Sequence, residues 1–316
     1  MTNSTKIILA IAGLALIGGV AIAFKNTPSK NPIAQSGVYC TSDGTLSNAM
    51  PIQSHRSYCI EPGPTGGGYT ASTSTAYSFS IVDDQGNILK DFQITHTKLL
   101  HLIVVRKDLA YFQHLHPEFD QATGKFTLSD LTFPVDGEYR IFADFAPAGA
   151  QMDAMGMPLT ATPYEDVTVG NGSNYMPQPL GSEDATKTFD GLKVTLATHG
   201  TPASGAESML MFNLSENGKP VTDLEPYLGA LGHAVILREG NLDFIHAHPI
   251  EDVATKQNGL VDFMVDFPEA GKYKVFTQFQ RGGKVITTDF VITVTQGTSA
   301  PSSGMQSMPG MNMPGM

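Results

Sequence analysis

Beyond residue 24 the chain shows no helical periodicity of useful length. Short runs of β-branched and aromatic residues follow one another, bounded by Gly, Pro, Asn and Asp, and this is the pattern of strands and turns. Tyr77–Val82 alternates apolar with polar residues and leads into the turn Asp83-Asp-Gln-Gly-Asn87. Lys125–Leu131, Glu138–Phe145 and Tyr164–Val169 read as further strands, with the turn Phe133-Pro-Val-Asp-Gly137 between the first two. About seven short strands in about 100 residues predict an antiparallel β-sandwich.

The pattern then repeats. His101-Leu-Ile-Val-Val-Arg106 with Tyr111-Phe-Gln-His-Leu-His-Pro117 aligns without a gap on His233-Ala-Val-Ile-Leu-Arg238 with Asp243-Phe-Ile-His-Ala-His-Pro249, 132 residues later. Pro134–Gly137 and Glu138–Phe145 match Pro268–Gly271 and Lys272–Phe279. The expected fold is therefore all-β, with two tandem immunoglobulin-like sandwiches. Matched turns and strands carry this reading as well as the histidines.

Each repeated stretch reads as a β-hairpin. Gly240-Asn241 suits a two-residue turn, because Gly takes the positive φ that a tight hairpin turn requires. Folding about that turn sets His233 opposite His248. Folding about Asp108-Leu109 sets His101 opposite His116. His114 and His246 lie two residues back on the returning strands, on the same face and diagonal to the first histidine. Two trios are expected, His101/His114/His116 and His233/His246/His248, each clustered on one face of its own hairpin, away from the turn. A slip of one residue would send one strand's set to the other face. Arg106 and Arg238 read as turn-flanking surface residues. His96 has Leu228 as its counterpart and is given no role.

The boundaries follow from composition. Lys6 precedes the apolar run Ile7–Phe24, and Ala21-Ile-Ala23 fits a small-residue cleavage site, so residues 1–24 are expected to be a signal peptide or membrane anchor. This places the chain outside the cytoplasm, in the periplasm or at the cell surface, with the membrane touched only through that segment. Residues 25–73 hold Cys40 and Cys59, the chain's two cysteines; an even pair in an exported chain reads as a disulfide. Residues 74–170 form the first sandwich, 171–182 a Gly/Pro/Asn-rich linker, and 183–296 the second sandwich. Residues 297–316 form a disordered, methionine-rich tail.

Composition narrows the chemistry. The net charge is −11, with 16% charged residues and no basic run, which argues against nucleic acid. Five methionines, Met305, Met308, Met311, Met313 and Met316, sit in the tail among Gly, Pro, Ser and Asn with no apolar face to bury. Met152, Met155 and Met157 form a second group in a loop after Phe145, where the second copy has the short turn Arg281-Gly-Gly-Lys284. If the Glu138–Phe145 strand lies beside His101–Arg106, as in an immunoglobulin-like sandwich, that loop emerges at the His101 end. Thioether sulfur selects Cu(I), and imidazole suits copper or zinc. The histidines and methionines are thus candidate ligands for copper in either oxidation state, with zinc as the alternative ion. No catalytic motif, phosphate loop or dinucleotide fingerprint is present, and no carboxylate is placed as an obvious general base, so an enzyme is not expected.

The stretches His101–Pro117, Tyr139–Phe145 and Pro226-Tyr-Leu-Gly-Ala-Leu-Gly-His233 resemble a family of exported bacterial proteins with tandem immunoglobulin-like domains. These are similar to the YtkA-like group, often labelled heavy-metal-associated. The resemblance covers about residues 74–296. It implies a sandwich outside the cytoplasm with a link to copper handling. An envelope copper-handling protein is the expected partner. The methionine groups depart from the usual pattern of that family. The rival expectation is a structural or interaction module of the envelope whose histidines only brace their hairpins.

Overall fold

In the computed structural model the described residues are 38–39, 58–63, 68–152, 156–171, 175–247, 249–250 and 258–297. The first half contributes eleven strands: β1 (Val38–Tyr39), β2 (Tyr58–Pro62), β3 (Ser74–Asp83), β4 (Phe92–Gln93), β5 (His101–Arg106), β6 (Phe112–Leu115), β7 (Glu118–Asp120), β8 (Lys125–Thr132), β9 (Gly137–Asp144), β10 (Ala146–Pro147) and β11 (Tyr164–Val169). The second half contributes ten: β12 (Thr186–Phe189), β13 (Leu192–Thr198), β14 (Glu207–Glu216), β15 (Lys219–Pro220), β16 (His233–Arg238), β17 (Phe244–Ala247), β18 (Pro249–Ile250), β19 (Leu260–Asp266), β20 (Gly271–Arg281) and β21 (Lys284–Val294).

Each half is an antiparallel sandwich of immunoglobulin type. In the first, the sheet β2-β3-β8-β7 faces the sheet β1-β11-β9-β5-β6; in the second, β12-β13-β14-β19-β18 faces β17-β16-β20-β21. One core lies between each pair of sheets. Tyr139 near the start of β9 donates to Val135 O at 2.8 Å, and Tyr273 near the start of β20 donates to Glu269 O at 2.8 Å. This tyrosine corner is a hallmark of the immunoglobulin fold, and it occurs in both copies.

The first sandwich reaches further back than residue 74. β2 pairs with β3 and β1 with β11, so the N-terminal stapled segment supplies two strands. Cys59 lies on β2 and is disulfide-bonded; Cys40 lies outside the described residues. The linker is packed rather than free. Gln178 N donates to Asp108 Oδ2 at 2.8 Å, Tyr175 lies against the Arg106 guanidinium, and Leu180 is buried. Among the described residues no helix is long and apolar enough to cross a membrane; the expected leader and tail lie outside them.

A third apolar cluster joins the two sandwiches. Ile103, Val105 and Phe142 from the β5/β9 sheet pack with Val235, Leu237 and Phe276 from the β16/β20 sheet. Along β5 the alternate residues Leu102 and Val104 face the first core. All six residues of β5 are therefore buried, which is why His101–Arg106 shows an unbroken apolar run rather than alternation. The aromatic contacts cross the interface as equivalent pairs: Phe112 stacks on Phe276 at 4.4 Å, and Phe244 meets Phe142 at 5.1 Å. The two sandwiches are thus related by an approximate two-fold axis, with the hairpin sheets face to face.

Candidate metal centre

The hairpin register is the one expected from the sequence. Leu102 pairs with Leu115 and Ile103 with His114, so the ladder brings His101 opposite His116. Ala234 pairs with Ala247 and Val235 with His246, which aligns His233 with position 248. His248 itself lies outside the described residues. The turns differ from expectation. Arg238 N bonds Asp243 O and Arg106 N bonds Tyr111 O, so each loop has four residues rather than two. The loop centres are unchanged, and so is the register. Leu109 and Leu242 take positive φ of 60° and 63° and bury their side chains in the interface cluster. Arg106 is also not a surface residue: it is buried and holds Asp108 through two hydrogen bonds of 2.8 and 2.7 Å.

The face that carries the histidines is the face that packs against the other sandwich. Period-two alternation places His101 with Ile103 and Val105, and His233 with Val235 and Leu237. The five described histidines of the two expected trios therefore do not form separate groups. They merge at the end of the interface. His114 lies 4.8 Å from His233 between ring centres, His101 lies 5.5 Å from His233, and His233 lies 4.3 Å from His246. His116 closes on His101 and His114 at 5.1 and 4.7 Å. His101 and His233 are 1% and 3% exposed.

His96 joins them, although nothing in its sequence position points to it. Its ring centre lies 5.1 Å from His246, 5.5 Å from His233 and 5.9 Å from His101. Six imidazoles thus gather among the described residues. One ring nitrogen from each of His101, His114 and His233 lies within 4.8 Å of the others. These three histidines, drawn from both sandwiches, could hold a metal ion.

Hydrogen bonds fix which nitrogens carry protons. His101 Nε2 lies 3.1 Å from the carbonyl oxygen of Thr95. A carbonyl only accepts, so Nε2 is protonated and Nδ1 of the neutral ring carries the lone pair. His114 Nδ1 lies 2.7 Å from Gln278 Oε1, while the Gln278 amide nitrogen donates to Thr287 Oγ1 at 3.2 Å. With the Gln278 amide in this orientation, His114 Nε2 also carries a lone pair. These two nitrogens stand 2.9 Å apart. His116 Nε2 lies 3.2 Å from the same His101 Nδ1. On the other side, His246 Nδ1 donates to Asp144 Oδ2 at 2.7 Å, which leaves His246 Nε2 as the lone-pair nitrogen. His233 Nε2 is buried and has no hydrogen-bond partner among the described residues.

The two positioning partners are equivalent in the repeat and both cross the interface. Asp144 stands opposite His101 on β9, and Gln278 stands opposite His233 on β20. Each reaches the second strand of the other sandwich's hairpin. The aligned stretches Glu138–Phe145 and Lys272–Phe279 contain both residues, so the signal is in the sequence. It becomes readable only once the two sheets are known to face each other.

Burial lowers the pKa of every imidazole in the cluster. His101, His114 and His116 are each pushed down to about 3, by lost solvation first and by neighbouring groups after it. His96, His233 and His246 are lowered as well, again chiefly by burial. All are neutral at pH 7, the form that ligates a metal. A carboxylate that orients one imidazole from outside is a recurrent support of metal sites, and Asp144 is placed to do this for His246.

The methionines predicted as ligands lie on the loop after β9 and in the tail. Asp144, opposite His101, ends β9, so the loop that follows leaves the sheet at the histidine end, as expected. Met152 is exposed there and Met157 is half-buried. Met155 and the tail residues Met305, Met308, Met311, Met313 and Met316 lie outside the described residues.

Comparison with known proteins adds a family. Trypsin-activated alpha-2-macroglobulin from Escherichia coli is 11% identical over 75% of this chain and 15% of its own, with a TM-score of 0.26; the chain thus spans about 15% of that protein's length. The fibronectin(III)-like modules of Clostridium thermocellum CbhA are 11% identical over 76% of this chain and 94% of their own, with a TM-score of 0.21. Domains 5–6 of the S-layer protein SbsC are 13% identical over 76% and 97%, with a TM-score of 0.22. Likenesses this low carry no argument. No curated protein matches the sequence. A family described as a domain of unknown function, DUF8832, matches residues 64–160 and 187–296, one stretch on each sandwich, and the chain belongs to that family.

Proposed function

We propose that the protein binds and buffers copper outside the cytoplasm and is not an enzyme. The copper site is shared by the two sandwiches, and zinc is the alternative ion. One observation carries the reading: His101 Nδ1 and His114 Nε2 face each other 2.9 Å apart, while the opposite nitrogen of each ring is already engaged with an acceptor. Two lone pairs at that distance repel unless a cation lies between them. Two bonds of about 2.0–2.1 Å, the usual imidazole–metal length, span 2.9 Å at an angle close to a right angle. A cluster that only braced hairpins would instead alternate donor with acceptor, as His114–Gln278 and His246–Asp144 do.

Copper is favoured by the company of the site. The loop with Met152 and Met157 leaves at the histidine end, and the tail adds five more thioethers, soft ligands suited to Cu(I). Secretion is supported by the apolar leader and by the disulfide at Cys59. The likeness to YtkA-like exported proteins points the same way, with an envelope copper-handling protein as donor or acceptor of the ion.

Equilibrium dialysis of the full chain against Cu(II), with metal counted by mass spectrometry, tests the proposal. Tight retention is expected, with loss in the double variant His101→Ala/His233→Ala. Deletion of 297–316 is expected to reduce Cu(I) uptake and spare Cu(II). A chain that retains neither copper nor zinc above a protein-free buffer control contradicts the proposal.

A further inference from the structure

His96 is set apart from the other imidazoles of the cluster. Thr95 and Lys98 exchange two backbone hydrogen bonds of 2.9 and 3.0 Å, and the residues between them, His96 and Thr97, take φ of 48° and 68°. Two consecutive positive φ values close a tight primed turn. Asn and Gly adopt this turn at lower cost than other residues. A histidine there places an imidazole on a rigid loop tip. The surrounding chain is in solvent: Ile94, Thr97 and Lys98 are exposed, and the His96 ring is half-buried. Behind the ring lie the buried His101 and His233 and the enclosed side chain of His246.

The second copy has the same turn without the imidazole. Tyr227 and Ala230 exchange backbone hydrogen bonds, with Leu228 and Gly229 at φ of 55° and 88°. The two tips meet: a Cβ on Gly229 would lie 3.6 Å from Thr97 Cγ2. One tip presents an imidazole to the cluster, and the other carries a buried leucine.

Resting on the copper site proposed above, we infer that His96 is the uptake ligand of that site. It takes an ion from solvent and passes it to the buried histidines by stepwise ligand exchange. His96 is outside the group of three whose nitrogens converge within 4.8 Å, yet its ring centre is within 6 Å of two of them. His116 is half-buried too, but it meets His101 and His114, whereas His96 meets His233 and His246. Without a half-exposed imidazole on that side, the ion would have to lose its water before a nitrogen there replaced it. An imidazole at the rim removes that requirement in both directions. It therefore speeds loading and release alike and leaves the equilibrium affinity nearly unchanged.

The test uses the full chain, Cu(II) sulfate and stopped-flow absorbance, with release followed into excess EDTA. Two variants are compared, His96→Leu, which copies the residue found at the equivalent turn, and His96→Asn, which suits positive φ and adds no bulk. Both are expected to slow loading and release by about tenfold, the order of loss when a pre-positioned group is removed, with Kd changed by less than about threefold and an unchanged melting temperature of the metal-free protein. Unaltered rates in either variant overturn the inference. So does a weaker Kd caused by faster release alone, which would make His96 an ordinary ligand. If the unaltered chain takes up no copper, the proposed function itself fails, a result distinct from unaltered rates in variants of a chain that loads.

Discussion

The two sandwiches share a scaffold and differ where they meet. In the first, Asp144 crosses to His246; in the second, the equivalent Gln278 crosses to His114. His101 is anchored through Nε2 to Thr95 O, whereas His233 Nε2 has no such partner among the described residues. His96 occupies the turn where the second copy has Leu228. The first copy carries the Met152–Met157 loop where the second has the turn at Gly282-Gly283. A site lying on a two-fold axis need not be symmetric: each copy can supply a different part. Here the first sandwich brings the carboxylate, two of the three converging histidines and the half-buried His96. The second brings a buried histidine with an uncommitted nitrogen and a neutral amide.

The interface must hold for the site to exist, so the largest effect is expected there. Phe276→Ala removes a 4%-exposed ring stacked on Phe112. It is expected to cost about 3–5 kcal/mol in chemical denaturation and to separate the unfolding of the two sandwiches. A loss below about 1 kcal/mol, with one transition retained, would mean that they are joined by something else.

Acid acts next. The folded His101 and His114 titrate near 3 and their unfolded forms near 6.5. Between those values the unfolded chain binds more protons, so stability is full above pH 6.5 and falls as pH drops toward 3. By pH 5 each of these two histidines is expected to cost the metal-free protein on the order of 1–2 kcal/mol. Urea midpoints at pH 7 and pH 5 measure it. Glu165 opposes the trend by about as much as one of these histidines contributes, on the order of 2 kcal/mol. Its buried carboxyl is raised to about 7, so stability gained from its protonation grows as pH falls from 7 toward the ordinary carboxylate range. A midpoint unchanged or higher at pH 5 would show that the histidines are not held neutral by burial.

Substitution of the crossing partners gives a smaller and more specific effect. Gln278→Ala and Asp144→Asn are each expected to weaken Cu(II) binding by about 10–100-fold. Neither residue is among the three converging histidines. Gln278→Glu makes the second copy resemble the first, and its added charge is expected to tighten binding. Equal affinity in all three variants would remove the crossing pairs from the account.

The hairpins are legible in the amino-acid sequence almost to the residue. The unbroken run Leu102–Val105 signals burial on both faces, and the repeat sets the strand register even though the loops are longer than two residues. What the sequence does not carry is which surface each histidine face meets. Spacing describes one hairpin at a time, so it assigns His101 and His233 to separate sites. Asp144 and Gln278 escape notice for the same reason: their histidine partners lie across the interface, more than 100 residues away in the chain. His96 escapes because it sits on a turn outside the repeated hairpin, where the second copy has Leu228. The interface itself leaves only the signal of excess apolar residues, Phe142 and Phe276, on strands already committed to a core.

The central claim is one shared site rather than two independent ones. Cu(II) stoichiometry and affinity of the full chain, measured without reductant so that the thioethers stay weak competitors, test it through two single variants, His101→Ala and His233→Ala. Either variant, each damaging only one hairpin, is expected to remove the same tightly bound copper. Retention of half the copper by each variant at unaltered affinity would contradict it and restore two separate sites.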